Sequence, residues 1–79
     1  MIGVTPPVGS QVEITVSGCM RRCCGGGWRR QVGRTTYQGT LAWLGDEGGL
    51  ILHYGDLGRI TEVMVTPEEL LNVTLWSVD

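Results

Sequence analysis

The stretch Thr35–Tyr54, T-T-Y-Q-G-T-L-A-W-L-G-D-E-G-G-L-I-L-H-Y, decides how this chain reads. Before its glycine-rich centre, Tyr37, Leu41 and Trp43 share one face at a period of two, with Thr36, Gln38 and Thr40 on the other. After it, Leu50, Leu52 and Tyr54 alternate with Ile51 and His53. Side chains of a strand point alternately to opposite faces, so period-two patterning on both sides of Gly45-Asp46-Glu47-Gly48-Gly49 predicts a β-hairpin.

Working outward, Val12, Ile14 and Val16 alternate with Glu13 and Thr15, the pattern of a half-buried strand starting near Ser10. Residues 1–9 contain Pro6-Pro7 and read as an irregular arm, because proline removes ladder donors. Residues 18–31 hold Cys19, Cys23, Cys24 and three consecutive glycines. They read as an Arg/Gly/Cys-rich loop or the tip of a long hairpin, with strand resuming near Val32. Gly39, inside the next strand pattern, suggests a bulge or bend.

Beyond the central hairpin, Gly55-Asp56-Leu57-Gly58 predicts a turn. From Ile60 to Val65 a further strand follows, with the face of Val63 and Val65 the better candidate for burial. Thr66-Pro67-Glu68-Glu69 carries a helix-start signature, a capping Thr followed by Pro and then Glu three residues after the cap. Leu70-Leu71 is too short to continue a helix, so one helical turn is expected before a final strand over residues 72–78. The expected core is Val12, Ile14, Val16, Leu41, Trp43, Leu50 and Leu52.

Five short strands with a helical turn before the last resemble the SH3-like small barrels. Tyr37-Gln38-Gly39-Thr40-Leu41, followed by the strand Gly48-Gly49-Leu50-Ile51-Leu52, is similar to the Sm-like variant. The fold expected is therefore all-β, a five-stranded SH3-like barrel filling a single domain of 79 residues. The resemblance implies binding of peptides or nucleic acids and assembly into oligomeric rings.

Composition narrows the field. No run approaches 18 apolar residues, so no membrane span is indicated. Met1–Pro7 lacks the basic and apolar regions of a signal peptide, which points to a cytoplasmic protein. The net charge of -2 conceals an asymmetry: five of the six arginines lie between Arg21 and Arg34, with no acid among them. Thr35–Asp79 carries seven acids and only Arg59, a local charge of -6. A single-sign segment on a small protein can steer an anionic partner, although it also serves simple solubility.

The catalytic motifs are weak, and the chain reads as a non-enzyme. Cys19, Cys23, Cys24 and His53 include one metal half-site, but the adjacent Cys24 does not fit the paired spacing of zinc sites, so neither metal nor other cofactor is expected. In a reducing compartment the three cysteines should remain thiols, and the nearby arginines should favour thiolate. Asp46-Glu47 suits a turn, and Glu68-Glu69 suits a helix start.

The remaining constellation is Arg21, Arg22, Trp28, Arg29, Arg30 and Arg34. Guanidinium groups match phosphate oxygens bidentately, and Trp28 can stack on a base. These six residues are the expected nucleic-acid-binding or partner-binding site. Trp and Arg also dominate protein interfaces, so a protein-interaction or oligomer-forming role is the alternative. A third reading makes Trp28 a lid on one end of the barrel. The lack of any acid in the segment favours nucleic acid.

Overall fold

A computed structural model of the chain describes residues 6–55 and 58–75. It contains five strands: β1 (Gln11–Cys23), β2 (Arg29–Gly45), β3 (Gly48–Tyr54), β4 (Ile60–Val65) and β5 (Leu70–Leu75). All observed pairings are antiparallel. The chain of neighbours β1–β2–β3–β4 returns to β1 and closes a four-stranded barrel, with β5 added outside on β1. At the level of topology this agrees with an SH3-like or Sm-like small barrel.

The closure depends on β1 changing partners along its length. Gln11–Val16 lies between β2 and β5, whereas Met20–Cys23 pairs with β4. The register against β2 shifts between Val16 and Gly18: Val16 faces Thr35, but Gly18 faces Val32. Ser17 therefore opposes both Gly33 and Arg34, and Gly33 has φ +93°. This is a glycine bulge, which bends the strand and increases its twist.

The core is built as the alternation of β1 and β4 requires. Val12, Ile14 and Val16 are buried with Cys19, Tyr37, Leu41, Ile51, Val63 and Val65. Thr61 lies on the same buried face of β4. Leu44, Leu70 and Val73 pack against this cluster from its margin.

Three expected core positions are corrected by the second bulge. Gly45 faces Gly48, Trp43 faces Leu50, and then the register slips so that Leu41 faces Ile51. Ala42 is the extra residue. Because a one-residue slip exchanges the two faces of a strand, Ile51 takes the inner position beside Leu41. Trp43 is 39% exposed, and Leu50 and Leu52 are only half-buried.

Gly39 itself is not the bulge. A Cβ there would collide with the backbone carbonyl of Leu52, so its small size permits a close approach of β3. At the turn between β2 and β3, Asp46 and Glu47 connect the paired Gly45 and Gly48, and Gly48 supplies a φ of +125°.

Two further boundaries differ from expectation. Much of 18–31 is strand, because Gly18–Arg21 ladders with Arg29–Val32 despite the neighbouring glycines. At 66–70 the chain makes a hydrogen-bonded turn, with Glu69 N and Leu70 N both donating to Thr66 O at 3.1 Å. No helix is present there; Leu70 and Leu71 already belong to β5. The Thr66 amide donates to Glu69 Oε1 at 3.1 Å, so the capping contact forms without the helix.

Residues 6–9 lie outside the strands, as expected of the arm, and Gly9 N donates to Leu41 O at 2.8 Å. The first five residues of the expected arm, Asp56 and Leu57 of the expected turn, and residues 76–78 of the expected last strand lie outside the described residues.

Candidate polyanion-binding cleft

The end of the β1–β2 hairpin is held at two places. Arg21 faces Arg29 across the hairpin, while Arg22 and Cys23 ladder with Glu62 and Thr61 of β4. The turn starts at Cys23, whose carbonyl accepts from Gly26 N at 3.0 Å. Cys24 has φ +61° and Gly25 φ +78°, the positive pair of a type I′ turn. Gly27 and Trp28 then return the chain to β2.

An open cleft of about 420 Å³ lies beside this tip. Arg21, Arg22, Arg29 and Arg30 line it with Cys23, Gln31 and the glycines Gly26 and Gly27; none of its lining residues is acidic. Four of the six expected site residues thus converge on one concavity. Arg34 does not. It sits in the bulge opposite Ser17, five residues along β2 from Arg29, on the order of 16 Å at strand rise.

The four arginines differ in how fully they are engaged. Arg22 bonds Glu62 through Nε and Nη2, both at 2.6 Å, and its guanidinium lies 4.5 Å from the centre of the Trp28 ring. That hydrogen bond raises the Arg22 pKa and holds Glu62 below its ordinary value. Arg30 Nη1 donates to Glu69 Oε2 at 2.8 Å, and Glu69 is likewise lowered, first by Arg30 and then by the Thr66 amide. Arg21 Nη1 donates to the neutral Gln31 Oε1 at 2.6 Å. Among the described residues, neither Arg21 nor Arg29 has an ion-pair partner.

Trp28 is half-buried, and the cation of Arg22 occupies one face of its ring. A ring quadrupole attracts a cation over its face, which fixes Arg22 and Trp28 against each other. It is not among the cleft-lining residues.

Behind the cleft is a polar network that joins it to the core. Tyr37 Oη donates to the same Gln31 Oε1 at 2.8 Å, and Gln31 Nε2 donates to Thr35 Oγ1 at 2.8 Å. The buried Cys19 thiol makes a long contact of 3.9 Å to Tyr37 Oη. Burial raises the pKa values of both Cys19 and Tyr37. Gln31 thereby fixes Arg21 to a rigid part of the barrel. Its sequence gave no sign of this role, which comes from its register opposite Cys19.

Cys19 and His53 are engaged elsewhere. Cys19 is buried against Tyr37, and His53 has its ring 5.6 Å from Tyr37 with Nδ1 2.8 Å from Gln38 O. Among the described residues, no three His, Cys, Asp or Glu side chains are grouped to hold an ion. Cys23 is the reactive-type side chain that the cleft does contain. The density of arginines around it in sequence was the available signal.

Guanidinium groups around such a concavity are chemically suited to pair with an anion. The chain matches no known family model, and no curated protein or solved structure gives a significant match.

Proposed function

We propose that this protein is a non-enzymatic nucleic-acid-binding module that receives backbone phosphates in the cleft at the β1–β2 tip. The observation that carries this reading is a concave site with four arginines and no acid among its lining residues. Arg21 and Arg29 supply the uncompensated charge, and Arg22 and Arg30 retain donors beyond those used on Glu62 and Glu69. The site is built for phosphates rather than bases, since Arg22 already covers one face of Trp28.

A titration of labelled single-stranded and duplex oligonucleotides, repeated at rising salt, tests the reading. Binding at ~50 mM salt should weaken steeply, with a logarithmic slope of ~0.7 to 0.9 per phosphate contacted. Replacing Arg21 and Arg29 together by Ala should reduce that slope by about 1.4–1.8 and weaken all sequences alike. No retention of DNA or RNA at micromolar protein would remove the proposal.

A second reading, self-association, is favoured by the outer strand β5. It pairs only with β1 among the described residues and exposes Leu71 and Leu75, the latter by 64%. Exposed strand edges accept further strands. Concentration-dependent sedimentation that Leu75→Lys abolishes would favour this reading. Among the described residues, no helix is long and apolar enough to cross a membrane.

A further inference from the structure

We propose that Cys23 is a thiol–disulfide exchange site selective for disulfides of anionic thiols. The reactant class is a small disulfide bearing carboxylates, for which oxidised glutathione is the probe. This inference uses the shape and charge of the cleft and does not depend on nucleic-acid binding.

The placement of the thiol is the first argument. Cys23 lines the same cleft as Arg21, Arg29 and Arg30, so a disulfide entering it meets guanidinium groups able to pair its carboxylates bidentately. The second is the position of Cys24. The Cys23–Gly26 turn leaves Cys24 exposed at φ +61°. Neighbouring Cα atoms across a trans peptide are ~3.8 Å apart, whereas disulfides usually join Cα atoms ~4.4–6.8 Å apart. Closure between the two adjacent cysteines is therefore strained, and a mixed disulfide on Cys23 is not readily displaced by its neighbour.

Thiolate character supports the geometry. A hydrogen bond from the Cys24 thiol lowers the Cys23 pKa, opposed by desolvation and assisted by Thr61, Arg59 and Arg21. Cys24 is raised by the same contact. Cys19 is buried and also raised, which makes it an internal control.

The exchange conserves electrons between the two reactants. Cys23 first releases its proton to solvent, and its thiolate attacks one sulfur of the disulfide. A Cys23–sulfur bond forms as the original sulfur–sulfur bond breaks. The departing thiolate carries away the electron pair and takes up a proton. One thiol and one disulfide give one mixed disulfide and one small thiol.

The test treats the reduced 79-residue chain with oxidised glutathione, the neutral hydroxyethyl disulfide and the cationic cystamine, following adducts by peptide-mapping mass spectrometry. The expected first adduct is on Cys23, and Cys23→Ser loses it while Cys24→Ser keeps it. Each reagent's rate is compared with its own rate on the Arg21→Ala/Arg29→Ala variant, which cancels intrinsic reagent reactivity. Glutathione should slow several-fold relative to the neutral reagent, and cystamine should gain relative to it. The same comparison on Cys24→Ser guards against an effect routed through Cys24. Preferential modification of Cys24 or Cys19, or equal rate ratios for all three reagents, would overturn the proposal.

Discussion

The two halves of β1 put one strand to opposite uses. From Gln11 to Val16, alternate residues enter the core and the backbone is flanked by β2 and β5. From Gly18 to Cys23 the flanking partners become β2 and β4, and the residues are Cys19, Met20, Arg21, Arg22 and Cys23. The bulge opposite Ser17 separates them. A strand whose first half is fixed by burial can carry a row of charges in its second half, because the ladder continues although the apolar face ends. Stability and binding should therefore separate along the same strand.

The strongest way to break that separation is at Gly39, which pairs with Val12. Gly39→Ala would drive a Cβ into the Leu52 carbonyl and should cost more than about 4 kcal/mol, leaving no cooperative unfolding transition in urea. Ile14→Ala follows, at about 2–5 kcal/mol, from lost burial and the cavity left behind. Its binding loss should only track the fraction unfolded.

In the second half the pattern inverts. Arg21→Ala/Arg29→Ala should leave the urea midpoint almost unchanged, each exposed site being worth within ~0.5 kcal/mol, while removing most oligonucleotide affinity. Trp28→Leu keeps apolar bulk but deletes the ring beneath Arg22, so its midpoint should fall by only a fraction of the Ile14→Ala effect.

The smallest expected effect is on the acid limb. Arg30 and the Thr66 amide hold Glu69 below the ordinary carboxylate value of ~4.3. A depressed folded pKa contributes stability fully above the unfolded value and loses it as pH falls through the folded one. Glu69→Gln should thus lower thermal stability slightly above pH ~5, and the difference from the parent should shrink toward strong acid. A difference that grew with acid would show the ion pair to be unimportant.

The strands themselves were largely legible. Val12, Ile14 and Val16 occupy the core as their alternation requires, and Val63 and Val65 take the buried face of β4. Trp43, Leu50 and Leu52 were not legible as surface or margin positions, because period-two reasoning presumes an unbroken register and Ala42 interrupts it. The arginines announced a charged site in the sequence. Their sorting into paired Arg22 and Arg30 and unpaired Arg21 and Arg29 depends on Glu62 of β4 and Glu69 of the turn before β5, both distant in the chain. Local composition contains no information on those pairings. The stacking of Arg22 on Trp28 follows from the return of the hairpin, which the three glycines had concealed as loop.

The position of β5 outside the closed barrel bears on the order in which parts of the molecule open. The four-stranded ring closes without β5, whose ladder to β1 joins positions as distant in the chain as Val12 and Leu75. Such a long-range pairing forms only after a large loop has been closed, and it can come apart while the ring's own hydrogen bonds persist. The opening nevertheless uncovers Val12, Ile14 and Val16 on one side, since Leu70 and Val73 pack against that cluster. Native-state amide exchange should find β5 exchanging at lower free energy than β3, which has ladder partners on both edges. The last strand is thus placed as a removable shutter over one side of the core: its departure would expose apolar surface and an unpaired edge of β1 together.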